Sequence, residues 1–243
     1  MRTRAGNTIA LSLTAAAVAC VDFVEPDLAE RGAPAVLQLE VRIAGDSANV
    51  QGRLSPGIDE DGVLREPGAA PLRVAGRAVT PAAVAETGTR TYDAVFRLDA
   101  GATDGGVRIE APVVLDVDAP APVVHWPTVR RAGPDTVRTD AMGRVVLRPI
   151  VIGPAEPEPE LRQWSLRLEG DDAAVTITAT GLPPDSIVVP PEWLPADGDG
   201  EIAARLTLFL SARVEPAPGD YLALITLDTR AGWTILPAAM RPP

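Results

Sequence analysis

The chain has 243 residues, 46% of them hydrophobic and 23% charged, the values of an ordinary globular protein; wholesale disorder is excluded, and there is room for one large domain or two smaller ones. Its 25 prolines and 21 glycines interrupt every stretch that could become a long helix, which points to short strands joined by turns. All 22 basic residues are arginine, so Schiff-base and phosphate-loop lysine chemistry is excluded, and the net charge of −11 makes nucleic acid a poor partner.

Arg2 and Arg4 precede the stretch Ile9–Ala19, which is apolar apart from Ser12 and Thr14. As a helix this stretch would cover about half of a ~30 Å hydrocarbon core, so residues 1–19 are expected to be a signal peptide and not a membrane span. The residues Ala17-Val18-Ala19-Cys20 resemble the lipobox of bacterial lipoproteins. The resemblance implies cleavage after Ala19, a diacylglyceryl group on Cys20 and attachment to a membrane through that lipidated N-terminus. Ala17 stands where that family usually has Leu, and Ala17-Val18-Ala19 also satisfies the A-x-A site of ordinary secretory cleavage. Cys20 favours the lipoprotein reading, because the chain's only cysteine would have no intramolecular partner in an oxidising compartment. Val21 lies where Asp signals inner-membrane retention, so the resemblance leans toward the outer membrane of a bacterial envelope. Without the leader, 20 arginines face 33 acidic residues, a charge of −13.

A polar tether over residues 20–32 leads into strand patterns. Leu37, Leu39, Val41 and Ile43 alternate with Gln38, Glu40 and Arg42, a period of two that turns one apolar face inward. Similar runs follow at Ala48–Leu54, Leu72–Val79, Thr91–Leu98 and Val107–Leu115. Val50-Gln51-Gly52-Arg53-Leu54, the acidic loop after it and Leu72–Val79 bear a weak similarity to transthyretin-like regulatory domains. Residues 33–118 are thus expected to form a β-sandwich, Ig-like or transthyretin-like. The run Asp118-Ala119-Pro120-Ala121-Pro122 breaks the pattern, and residues 119–122 read as a stiff linker.

Strand patterns resume at Val123–Val129 and Arg144–Ile152, with a turn at Gly143. They continue at Trp164–Leu168, Val175–Thr178, Ile202–Arg213, Tyr221–Thr229 and Trp233–Leu236. Within this set Pro218-Gly219-Asp220-Tyr221-Leu222-Ala223-Leu224 resembles the tyrosine corner of immunoglobulin-like and fibronectin-type domains. That resemblance implies a Tyr221 hydroxyl bonded to upstream backbone, and an Ig-like sandwich over residues 123–243. The expected fold is therefore all-β: two tandem antiparallel sandwiches that meet at the linker, with no sheet crossing it.

Chemistry has few places to reside. His125 is the only histidine, on an expected strand in Val123-Val124-His125-Trp126-Pro127, and no G-x-S-x-G elbow accompanies it, so catalytic residues, zinc and organic cofactors are not expected. Asp197, Asp199 and Glu201 could offer oxygen ligands to calcium, as could Asp59, Glu60 and Asp61, but neither group has EF-hand spacing and both read better as solvated turns. Trp193, between prolines in Pro190-Pro191-Glu192-Trp193-Leu194-Pro195, is the candidate ligand contact, since a loop indole offers a flat apolar face with one donor. The function expected is non-enzymatic: an envelope interaction or structural module with a protein or glycan partner. The alternatives are a carbohydrate-binding sandwich, which needs coplanar exposed aromatics, and a two-carboxylate hydrolase, which needs an acidic cleft.

Overall fold

In a computed structural model, residues 32–237 are described except 69, 116, 118, 119, 172 and 196–199. Cys20 and the cleavage site at Ala19, like Asp197 and Asp199, lie outside the described residues.

The described chain is all-β, as its alternation demands. Nineteen strands follow in order, the first six being β1 (Ala35–Ala44), β2 (Ser47–Ser55), β3 (Gly57–Ile58), β4 (Leu64–Arg65), β5 (Leu72–Val74) and β6 (Arg77–Val79). Then come β7 (Ala83–Val84), β8 (Arg90–Arg97), β9 (Val107–Glu110), β10 (Val123–Trp126), β11 (Thr128–Arg131) and β12 (Thr136–Arg138). The remainder are β13 (Val145–Leu147), β14 (Pro149–Ile152), β15 (Leu161–Glu169), β16 (Ala174–Thr180), β17 (Ile187–Val189), β18 (Ile202–Ala217) and β19 (Tyr221–Leu236), with a single 3₁₀ turn at Pro191–Trp193.

Punctuation residues explain where the strands depart from the expected runs. Leu72–Val79 is a hairpin and not one strand, because Ala75 and Gly76 both take positive φ, 50° and 80°, and fold β5 back on β6. Pro127 divides the expected Val123–Val129 strand into β10 and β11, which belong to different sheets. The Arg144–Ile152 run likewise divides into β13 and β14, with different partners. In the opposite sense, Gly232 does not interrupt β19, which joins two expected strands into one of 16 residues.

Sheet topology corrects the expected division into two separately sheeted halves. A nine-stranded mixed sheet has the order β16-β15-β18-β19-β1-β2-β8-β7, with β12 also on β19. Strands β1, β2, β7 and β8 precede residues 119–122 and the others follow them, so one sheet crosses the expected boundary. The joint is parallel, with Ala35 opposite Tyr221 and, nine positions on, Ala44 opposite Arg230. Beyond Ala44 the same edge of β19 is taken up by β12, Thr136 lying opposite Thr234. The stretch read as a linker is instead the connection between two paired strands: Val123 faces Glu110 and Trp126 faces Val107, while Ala111 N–H donates to Pro122 O at 2.8 Å. Proline stiffens that connection without separating what it joins.

The period-two pattern of β1 buries Leu37, Leu39, Val41 and Ile43, and that of β19 buries Tyr221, Ala223, Ile225 and Leu227. These side chains belong to one apolar cluster with Val74, Ile109, Val124 and Trp126 of the four-stranded sheet β10-β9-β5-β6, and with Leu147 and Val189 of the pair β13-β17. The layering is sandwich-like, a large sheet with smaller ones packed on its apolar face; each fully buried Leu or Ile contributes about 1.5–3 kcal/mol. Where the loop before β9 meets the chain after β14, Gly106 and Gly153 take φ of +97° and +111° and touch backbone to backbone. A Cβ on Gly153 would lie 2.6 Å from Gly106 Cα, so only glycine fits there.

Candidate functional site

The continuous sheet creates a site that neither half could form alone. Along β19, the first-half strand β1 stops at Ala44 and the second-half strand β12 starts at Thr136, which leaves a short gap on that edge at Ala231–Trp233. Strand β11 lies over the gap. Val129 N–H donates to Thr229 Oγ1 at 3.1 Å, and Arg131 Nη1 donates to Gly232 O at 2.9 Å. Thr229 is almost wholly buried, so its hydroxyl satisfies an amide that would otherwise have no partner in an apolar setting.

Above this seam opens a cleft of about 430 Å³, floored by Ile43, Val129 and Ala231 and walled by Arg130, Arg131 and Arg230. Two of the guanidinium groups are steadied by carboxylates. Arg130 donates to Asp104 Oδ1 at 2.6 Å and to Thr103 Oγ1, and Arg230 Nη2 donates to Asp228 Oδ2 at 2.7 Å. The hydrogen bond that Arg230 donates to Asp228 holds its pKa above its already high ordinary value, with Glu40 adding to the effect. A guanidinium has five donors in a planar fork, so three arginines lining one cleft suit a carboxylate or other oxyanion. The chemistry is recognition by charge-assisted hydrogen bonds. Arginine holds no proton that it can give up or take in the accessible pH range, so what these residues offer is hydrogen bonding and charge.

Sequence reasoning passed over these arginines because β1, β11 and β19 are remote in sequence and meet only through the parallel pairing. Arg130 and Arg131 lie just past the end of the expected strand Val123–Val129.

The expected site residues are scattered. Trp193 closes the 3₁₀ turn after β17 and is 37% exposed, the most exposed aromatic among the described residues. Among the strands before it, Val146 and Val188, cross-strand partners in β13 and β17, are 44% and 50% exposed. Trp126 is fully buried and donates through Nε1 to Pro157 O at 2.7 Å, while Trp233 is buried and Trp164 half-buried. His125 is half-buried on β10, its backbone bonded both ways to Glu156. Glu201 is exposed just before β18. In the other acidic loop, Asp59 Oδ1 accepts the Val63 N–H at 2.7 Å, so that carboxylate closes its own turn. Among the described residues, no three His, Cys, Asp or Glu side chains converge as a metal site would require.

Tyr221 bonds to upstream backbone, though far from its own strand: its buried hydroxyl donates at 2.9 Å to Pro112 O, 109 residues away in the first half. Next to it, Asp220 pairs with Arg65 of β4. The start of β19 is thus fastened to the first half at two points. No protein-family model matches the chain, and no curated protein matches it significantly.

Proposed function

We propose that this chain is a lipid-anchored, non-enzymatic interaction module of a bacterial cell envelope, held to the membrane through Cys20 and presenting a rigid β-scaffold to a protein or glycan partner. One observation carries the reading: a basic start and a short apolar stretch end at Ala17-Val18-Ala19-Cys20, the chain's sole cysteine. Burial of acyl chains contributes about 0.8 kcal/mol per CH₂, and one chain gives only marginal attachment, so a stable hold needs the two or three chains that a lipoprotein cysteine carries. The charge of −13 after the leader opposes adsorption to an anionic bilayer, which leaves the anchor as the means of attachment.

The arginine-walled cleft supports an interaction role, since it offers directional donors to an acidic group on a partner. Trp193 is the one exposed aromatic among the described residues, which favours a protein contact there over a sugar platform, since a platform would need a second exposed aromatic in the same plane. The Ig-like kinship of the second half rests on Pro218–Leu224 alone, and the long reach of the Tyr221 hydroxyl weighs against it.

The test is fractionation of cells that express the wild type or Cys20→Ser, with detergent phase separation and intact-mass measurement of the N-terminus. The wild type is expected in the detergent phase with Cys20 acylated, and the variant as an uncleaved precursor or a soluble protein. Wild-type protein in the aqueous phase with an unmodified Cys20 overturns the proposal.

A further inference from the structure

The two ends of the nine-stranded sheet are treated differently. At one end β7 is two residues long and follows Pro81, a blunted edge of the kind that prevents strand addition. At the other end β16 is a seven-residue strand, Ala-Val-Thr-Ile-Thr-Ala-Thr, with no charge, no proline and no bulge against β15. Such an edge is a template for another strand unless something covers it.

The bonds at both ends of the β15-β16 ladder show which atoms are open. Gly170 N–H donates to Ala173 O and Gly181 N–H to Arg162 O, each at 2.9 Å, so the odd-numbered residues of β16 bond to β15. The N–H and C=O groups of Ala174, Thr176, Thr178 and Thr180 therefore point away from β15, and among the described residues no strand pairs with them. On the apolar face Val175 and Ile177 are only half-buried, as is Trp164 across from Ala179. The core thus reaches this edge unfinished.

We infer that β16 pairs with β16 of a second copy, antiparallel, about a two-fold axis at Ile177. In that register Ala174 meets Thr180 and Thr176 meets Thr178 as hydrogen-bonded pairs, so every outward N–H and C=O finds a counterpart. Val175 meets Ala179 and Ile177 meets its own copy as the closer non-bonded pairs, and they extend the apolar face over the joint. No like charges face each other, since Asp171 falls opposite Pro183. A different partner strand would find no charge on β16 by which to be selected, whereas an identical one satisfies the pattern from both sides. The two-fold consumes the open edge and leaves the blunted β7 at both ends of the joined sheet, so association closes at a dimer and does not run on to a fibre. One strand pair is a small interface, in the weak and transient class, and the net negative charge on each copy opposes it, so the dimer strengthens with salt. The inference is independent of lipid attachment.

Two measurements on the full chain test it. Sedimentation over a range of concentrations should show a monomer–dimer equilibrium that shifts toward dimer at high salt and is lost in Thr176→Pro, which removes one outward N–H and leaves the β15 ladder intact. In a Cys20→Ser background, Ile177→Cys places two thiols at the axis with Cα atoms about 4.5 Å apart, within disulfide range, whereas Thr180→Cys places them roughly 20 Å apart. Mild oxidation should cross-link most of the Ile177→Cys protein and at least tenfold less of the Thr180→Cys protein. A chain that stays monomeric at every concentration, or equal cross-linking of the two cysteine variants, overturns the inference. If Thr176→Pro does not fold, the cysteine pair decides alone.

Discussion

Tyr221 shows how much one hydroxyl can report. Its donation to Pro112 O joins β19 to the first half, and burial holds its pKa well above the ordinary tyrosine value, with Tyr92 nearby adding to the rise. Tyr92 is itself raised by burial. The folded protein keeps these protons at a pH where the unfolded chain releases them, so the stabilisation is complete below pH ~10 and declines as pH rises beyond it. Urea unfolding measured at neutral and alkaline pH should show that decline in the wild type. Tyr221→Phe should flatten it, while lowering stability at neutral pH by about 1–3 kcal/mol because the buried Pro112 carbonyl loses its donor. An unchanged alkaline decline in Tyr221→Phe would show that this hydroxyl is not the group responsible.

At the scale of elements, β19 is the member on which the others depend. It is paired along one side by β18 and along the other by β1 and then β12, and at the gap between those two the Thr229 hydroxyl receives the Val129 amide. Thr229→Val keeps the shape of the side chain and removes that acceptor. The expected loss is about 1–3 kcal/mol, read as a lower urea midpoint with an unchanged slope; a neutral result would mean that the amide finds another partner. Strands were legible in the sequence wherever one face is buried, as in Leu37–Ile43, because alternation is a local property. Their breaks were legible only in part: Gly143 marks a turn as expected, whereas Gly232 lies within β19 and Pro127 changes the sheet to which the chain belongs. The arginine cleft was not legible at all, since the pairing that builds it joins residues as remote as Leu39 and Thr226, 187 positions apart. Acidic loops and Trp193 stood out because composition is visible without topology.

Over the whole molecule, the proline-rich stretch at 118–122 invites division into two bodies, and strand pairing argues for one. A linker loosens what it joins only where few contacts cross it. Here β9 and β10 pair across it, β1 lies against β19 along its whole length, and the Tyr221–Pro112 and Asp220–Arg65 contacts fasten the same end. With the apolar cluster continuous through both halves, neither can lose its strands without exposing the other's core. One folded body would suit the tethered module proposed above, because the cleft at the seam keeps its shape only while both halves stay folded. Scanning calorimetry tests this unity most directly. One body predicts a single endotherm whose calorimetric and van't Hoff enthalpies agree, and two resolved transitions, or a van't Hoff enthalpy near half the calorimetric value, would contradict it.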